Sequence, residues 1–506
     1  MDPGPYTCVP FKLPCMRIFK RIILLILLAL LLLVGLIVFR TFNFKSRQLT
    51  AVEPVPPVKV QGAVERFSEA IRIRTVSPEN KKDFDSLQFN HFDKFLSRAY
   101  PLADSLLEKR SFNRYSLLYK WPGSDPGLKP VILMGHFDVV PVIEENRKYW
   151  KAEPFGGEVR NDTIWGRGTI DDKVGVISIM ESVEYLLSVG HQPARTLYLA
   201  LGHDEEIGGL GGAKSIADFL KEQGVQAEFV MDEGGFVSSG MIPGLEREVA
   251  LIGVAEKGFA SMYLSVELEG GHSSMPGRET AIDLMAGAVA RLKDNPLPAS
   301  ITSPMEGFME FVGPEMPFMQ RMAMANKRLF SPLILDAYAA SASGNALIRT
   351  TTAPTIFHSG VKDNIIPLSA EATVNFRILP GSGTQEVLEH MKRVMADDRI
   401  KIRQGDYNCE PSSVASVDGI GFTALQHTVG QVFPDALVAP YLVVGATDSR
   451  HFQEISDQVY RFSPVRLSSA NIKSFHGLNE RLAVSDLENS LGFYVQFIRN
   501  LDAIEK

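Results

Sequence analysis

Three features of this 506-residue chain predict an α/β fold: a mostly parallel sheet flanked by helices, with a smaller α+β domain inserted and an apolar helix ahead of both. β-rich runs alternate with helical ones from about Ala63 onward. A second block then reads strand-helix-strand-strand-helix-strand, and an uncharged 18-residue run lies near the N-terminus. A chain of this length exceeds one ordinary core, so more than one domain is expected.

The alternation runs in order. Tyr115–Trp121 and Pro130–Val139 are β-rich, Lys173–Leu187 reads as an amphipathic helix, Thr196–Leu201 as a strand, Gly212–Glu222 as a helix and Ala227–Met231 as a strand. Strands separated by helices imply a parallel sheet covered on both faces. Ligands in such sheets sit at the carboxyl ends of the strands. His136, Asp138, Glu205, Glu206 and Asp232 all fall there. The second block contains the strand Phe259–Leu268, the helix Thr280–Arg291, strands around Ala346–Val361 and Ala372–Leu379, the helix Gln385–Met395 and the strand Ile400–Arg403. That order is the split βαβ pattern. A Met- and Pro-rich stretch, Pro296 to Ser343, is expected to add helices within it. Alternation resumes near Val417 and closes with the helix Asp486–Asn500. The expected division is therefore 1–21, a short N-terminal segment; 22–39, an anchor; 40–62, a linker; 63–256 and 414–506, the catalytic domain; and 257–413, an inserted lid.

The anchor is Ile22 to Phe39, which at 1.5 Å per residue reaches about 27 Å, just enough for a bilayer core. Lys12, Arg17, Lys20 and Arg21 precede it and Arg40, Lys45 and Arg47 follow, a balance that favours an inside N-terminus and an extracytoplasmic body. A signal peptide would have a shorter apolar region and a small-residue cleavage site, and Arg40-Thr-Phe-Asn-Phe44 offers none. Cleavage with secretion is the alternative. Val52-Glu-Pro-Val-Pro-Pro-Val58 is expected to act as a semi-rigid spacer holding the body off the membrane.

Composition excludes other classes. The formal net charge of -7 gives no basic surface for nucleic acid. The three cysteines are Cys8, Cys15 and Cys409, so the body has no disulfide framework and no thiolate zinc motif. Any metal there must be held by histidine and carboxylate.

Five motifs supply such ligands. In His136-Phe-Asp138, residues two apart on a strand share a face, so the carboxylate can fix the imidazole tautomer while the other ring nitrogen binds metal. In Gly166-Arg-Gly-Thr-Ile-Asp171-Asp172-Lys173, one aspartate can cap the following helix and leave the other free. Glu205 and Glu206 are adjacent acids at a strand end, which repel unless a cation or proton intervenes. Val230-Met-Asp232-Glu-Gly-Gly places another carboxylate at a strand end, and Lys473-Ser-Phe-His476-Gly a histidine in a polar turn. Singly, each is more often structural than functional: a satisfied strand histidine, a helix cap, solvated loop charges. Together they form a nitrogen and oxygen donor set suited to Zn²⁺, with Co²⁺ or Mn²⁺ as substitutes.

These motifs, in this order, resemble the di-zinc metallopeptidases that include aminoacylase, glutamate carboxypeptidase, acetylornithine deacetylase and vacuolar carboxypeptidase S. The resemblance is nearest to the carboxypeptidase S branch and the N-fatty-acyl-amino-acid synthase/hydrolases. It rests also on Ala255-Glu-Lys-Gly, Gly271-His-Ser-Ser, Ile348-Arg-Thr-Thr-Thr-Ala, Ala372-Thr-Val-Asn-Phe-Arg-Ile and Thr447-Asp-Ser-Arg, and covers the chain from about Ala63 to its end. It implies two zinc ions per subunit. His136 and Asp232 would hold one, Glu206 and His476 the other, and Asp171 would bridge them. Glu205 would be the general base and Asp138 the carboxylate orienting His136. His272 would contact the reacting carbonyl oxygen, Arg377 would hold the substrate carboxylate, and Asn364 would line the same site. A homodimer formed through the lid is a further implication.

The function so implied is hydrolysis of an amide beside a free carboxylate. N-acyl or N-fatty-acyl amino acids are one substrate class and short peptides, in a carboxypeptidase reaction, the other. Arg377 serves both equally, and the apolar stretch Phe308–Phe330 is the one hint toward a long acyl group. A catalytically dead membrane-bound binding protein would show a missing base or ligand, and no such gap is visible in these motifs.

Overall fold

The computed structural model describes residues 4, 15–50, 52–78 and 80–503. Cys8 and Lys12 lie outside the described residues, as does most of the expected 1–21 segment, and nothing is described of the Cys15 and Arg17 side chains.

The larger sheet has ten strands. Its centre is parallel: Leu197–Gly202, Val131–His136, Phe229–Asp232 and Val459–Arg461 lie side by side. Antiparallel pairs extend it at Ser116–Trp121 on one flank and at Val249–Glu256 with Phe236–Ser239 on the other. The fold class is thus as expected, with antiparallel flanks that make the sheet mixed. Successive side chains of a strand point to opposite faces. Val131 and Leu133 enter one core with Leu197, Leu199 and Met231, while Ile132 and Met134 enter another with Ala200, Ile216 and Val230. Burial on both faces explains why these strands are continuous apolar runs.

The Lys173–Ser188 helix departs from its amphipathic reading. Every residue from Lys173 to Val183 is buried, because the sheet, the Ala63–Arg72 helix and the C-terminal Val484–Ala503 helix surround it. Its one cation, Lys173, donates to the carbonyls of Ala70 and Ile73 at 2.9 and 2.6 Å, which offsets the cost of burying it.

The inserted block forms its own antiparallel sheet, in the order Thr351–Ser359, Ser369–Ile378, Gly258–Glu267, Lys401–Cys409. Helices Ala281–Asp294 and Thr384–Met395 cover one face, and Met262, Leu264, Met285, Val374, Phe376 and Met391 fill a separate core. Thr280 and Asp283 cap the first of these helices reciprocally. Between that helix and the Thr351 strand come the expected extra helices, Ser303–Val312, Phe318–Ala325, Lys327–Ala339 and Ala342–Ile348.

The N-terminal helix runs from Cys15 to Phe42 and is longer than the apolar run within it. Its Phe19–Phe42 portion is long and apolar enough to cross a membrane. The linker behind it does not stand free. Gln48 donates to the Phe311 and Val438 carbonyls and accepts from the Val438 N–H, and the Val55 N–H donates to the Gln431 carbonyl. The expected spacer is therefore laid along the body, because its polar groups find better partners there than in the open.

Candidate active site

The carboxyl ends of the parallel strands carry a compact cluster of histidine and carboxylate side chains. His136 ends its strand with its side chain 2% exposed. Its Nδ1 lies 3.3 Å from Asp138 Oδ1, and its Nε2 lies 3.0 Å from Asp171 Oδ1 and 3.2 Å from Glu233 Oε1. His476 lies in the turn before the Arg481–Ala483 strand, with Nε2 2.6 Å from Asp171 Oδ2 and 3.3 Å from Glu206 Oε2. The two oxygens of Asp171 thus face two different imidazoles. The donor atoms fall into two sets, His136 with Glu205 and Glu233, and Asp171 with Glu206 and His476, the atoms of each lying within 4.8 Å of one another.

Local sequence explains how the acids are aimed. Asp172 caps the buried helix by accepting the Gly175 N–H at 3.2 Å, which leaves Asp171 to point into the cluster. Glu480 braces the preceding loop, accepting from the N–H groups of Gly168, Ile170 and Asp171 and pairing with Arg167. The Asp138 carboxylate accepts the Glu205 N–H at 3.1 Å and the Glu206 N–H at 3.2 Å, so one fully buried side chain sets both acids and also faces His136. Behind them Gly209 has φ of 66°, and a Cβ there would sit 1.8 Å from Asp448 Oδ1. Only glycine fits.

The electrostatics are those of crowded acids. Burial and then Asp171 push Glu206 up to about 7, and the same two causes push Glu233 up to about 8. Burial also holds Glu205 well above the usual carboxylate range, with Asp448, Glu233 and Glu206 adding to the effect against His136. Asp171 goes the other way: burial opposes ionisation, but hydrogen bonds from His136 and His476 hold it well below that range. Its bond in turn helps raise His476 to about 10. Buried acids that repel one another, facing neutral-capable imidazoles, are a fitting cradle for divalent cations, and nitrogen and oxygen donors suit zinc.

One expected ligand sits elsewhere. The Asp232 carboxylate is in neither donor set and accepts the Ser449 N–H at 2.8 Å, while the next residue, Glu233, reaches His136. Asp232 is the last strand residue and Glu233 the first beyond it, so side-chain direction alternates at this step and the longer acid takes the inward position. The run Asp232-Glu-Gly-Gly held both acids, and nothing in its spacing distinguished them.

The expected site residues of the inserted domain are spread out. His272 is exposed on the two-residue strand Gly271–His272, its Nδ1 2.8 Å from the Ser274 hydroxyl, and among the described residues no hydrogen bond or ion pair joins it to the cluster. Asn364 lies beside it and accepts the Ser273 N–H through its carbonyl. Arg377 stacks 4.8 Å over the Phe259 ring, and burial lowers its affinity for a proton. No carboxylate pairs with it among the described residues. Tyr407 packs against Phe259 at 5.9 Å and carries a second guanidinium, Arg450, 5.7 Å from its ring. Burial opposes the charge of Arg450, but Tyr407, Asp448, Glu256 and Glu205 favour it more. Arg450 had no assigned role in the Thr447-Asp-Ser-Arg motif; the signal was there, in a lone cation following an acid.

Residues 132–500 match the profile described as Peptidase family M20/M25/M40. The chain is similar to a probable carboxypeptidase S-like 2 of Dictyostelium discoideum, 38% identical over 96% of this chain and 95% of that one. It is similar also to an N-fatty-acyl-amino acid synthase/hydrolase, PM20D1, of Xenopus tropicalis, 39% identical over 94% of each. Its fold is like that of an M20 family metallo-carboxypeptidase, Sso-CP2, from Sulfolobus solfataricus, with a TM-score of 0.64 and 17% identity over 88% of this chain and all of that one.

Proposed function

The chain belongs to the M20/M25/M40 peptidase family, and on that premise we propose that it is a two-zinc hydrolase of N-acyl amino acids, long-chain acyl groups among them. Members of this family are metal-dependent hydrolases of amide bonds, and this chain is one. The observation that carries the finer reading is Asp171, shared between His136 and His476, with Glu205 beside it. We assign Glu233, in place of Asp232, to the His136 metal, Glu206 and His476 to the other, and Asp171 to both.

Zinc bound there supplies Lewis acidity, bringing the pKa of a water toward about 7 and polarising the amide carbonyl. The remaining work belongs to side chains. Glu205, whose proton affinity burial raises, takes a proton from the attacking water and returns it to the departing amine. Asp138 fixes the His136 ring and the backbone of Glu205 and Glu206. Arg377, half-buried and without a carboxylate partner among the described residues, receives the substrate's free carboxylate, since a partly desolvated guanidinium favours a planar anion. His272, with Asn364 beside it, would donate to the developing oxyanion with the lid over the cleft, and a homodimer through the lid accompanies this reading.

A carboxypeptidase acting on short peptides uses the same groups, and the carboxypeptidase S-like relative favours keeping it as the second reading. We also propose that the N-terminal helix is a retained anchor, with the N-terminus cytoplasmic and the body extracytoplasmic. The full chain, purified in detergent and loaded with zinc, should release amine from N-acyl amino acids with long acyl chains faster than from dipeptides. Both should be cleaved faster than their C-terminally amidated analogues. Equal turnover of free acids and amides would overturn the carboxylate-directed reading, and a preference for dipeptides would favour the carboxypeptidase.

A further inference from the structure

We propose that the helices Phe318–Ala325 and Lys327–Ala339 of the insertion seat the enzyme in the lipid interface, alongside the N-terminal helix. The inference rests on the reading of that helix as a retained membrane anchor. It begins from how the anchor's end is gripped. Arg321 donates through Nε to the Thr41 carbonyl and through Nη2 to the Phe44 carbonyl, both at 3.1 Å. Asn326, at the junction of the two insertion helices, donates to the Ile37 carbonyl at 3.3 Å, and its amide is buried against Thr41. Gly313 lets Phe44 approach: a Cβ there would lie 2.6 Å from the ring. With Gln48 bound to the Phe311 and Val438 carbonyls, the anchor is fixed to the body rather than hung from it.

The register of that grip sets depth. Ile37 precedes the end of the uncharged run, Phe39, by two residues, or about 3 Å of helix. Asn326 therefore lies level with the edge of the hydrocarbon, and the side chains around it meet lipid at that height. The exposed ones include, beside Gln320 and Arg328, four large apolar residues, Phe318, Met319, Leu329 and Leu333, the last two one turn apart on a single face and Leu333 61% exposed. Phe42 of the anchor, 71% exposed, lies 6.2 Å from the Phe318 ring, so the two surfaces are continuous. Exposed Arg40, Lys45 and Arg328 lie next to them along the chain, as suits anionic headgroups, while Arg321 is spent on the Thr41 and Phe44 carbonyls and Lys327 is paired with Glu306 and Glu310. Asp336 is the exposed acid of the second helix, one turn beyond Leu333. An apolar patch on a water-soluble face would be costly, whereas beside an anchor it completes an interfacial seat.

The test uses the full chain with Cys8, Cys15 and Cys409 changed to serine, reconstituted in vesicles of phosphatidylcholine and phosphatidylserine. Leu333→Cys and Met319→Cys carry an environment-sensitive fluorophore, and Val361→Cys, on a 93% exposed lid position, is the control. Labels at 333 and 319 should be blue-shifted, quenched about twofold by doxyl lipids and shielded from aqueous iodide, with the reverse at 361. Iodide quenching at 333 and 319 equal to that at 361 overturns the seat. Shielding from iodide without quenching by lipid also overturns it, in favour of a second copy covering the patch. Alkaline carbonate applied to the same vesicles separates the two readings. A chain that stays bound with iodide-quenched labels refutes the seat and keeps the anchor, and a chain that is released while its labels had been lipid-quenched refutes the anchor and keeps the seat.

Discussion

Glu205→Gln removes a charge while keeping a shape, and the structure says what should and should not follow. The Glu205 N–H donates to Asp138 Oδ1 at 3.1 Å and opens the single 3-10 turn Glu205–Ile207, whose second N–H goes to Asp138 Oδ2. Neither bond involves the Glu205 carboxylate, so the turn persists in the variant. Burial disfavours the ionised acid, and after the opposing pull of His136 come Asp448, Glu233 and Glu206, all repulsive. A neutral amide relieves that repulsion, so thermal stability should hold or rise. General acid/base groups contribute roughly 100- to 10,000-fold in rate, or about 2.7–5.5 kcal/mol at about 1.36 kcal/mol per decade. The expected variant keeps its full zinc content by mass spectrometry, keeps KM within a few-fold and loses at least about 100-fold in kcat. Wild-type turnover in a fully metallated variant would refute the base assignment. Loss of one metal equivalent would refute it differently, because Glu205 shares a donor set with His136 and Glu233 and would then be a ligand.

Asp171→Ala should deplete metal from both sets at once, whereas Glu233→Gln should weaken only the His136 site and Asp232→Asn neither; metal content after dialysis at matched free zinc decides among them. Arg377→Ala should cost about 2–5 kcal/mol in kcat/KM on N-acyl amino acids if the substrate carboxylate is desolvated there, and little on amidated analogues. Equal losses on both would make it a structural cation. Arg66→Ala should destabilise the fold by about 3–5 kcal/mol in chemical denaturation. Arg66 clasps Glu181 at 2.5 and 2.6 Å, and removing it leaves that 1% exposed carboxylate with the Tyr100 hydroxyl at 3.2 Å. A change below about 1 kcal/mol, the usual worth of a surface pair, would show that water replaces the guanidinium.

The alternation of apolar runs and helical periods determined the α/β class, the inserted sheet and the apolar N-terminal helix, because burial on a regular backbone imposes a period that survives in one dimension. Motif order alone also placed His136, Asp171, Glu206 and His476 at strand ends and loops that converge. Tertiary structure decided what a period cannot express. It turned Asp232 toward Ser449 and Glu233 toward His136, since which of two adjacent acids points inward depends on where a strand stops. It buried the Lys173–Ser188 helix on every face, because the neighbours that cover its polar side come from Ala63–Arg72 and Val484–Ala503, hundreds of residues apart. It brought Arg450 beside the Tyr407 ring near Arg377, and it held Thr41, Gln48 and Val55 along the body through hydrogen bonds to Arg321, Val438 and Gln431. Each of these outcomes is a partner chosen across long sequence separation, and sequence order carries the identity of such groups but not the distances between them.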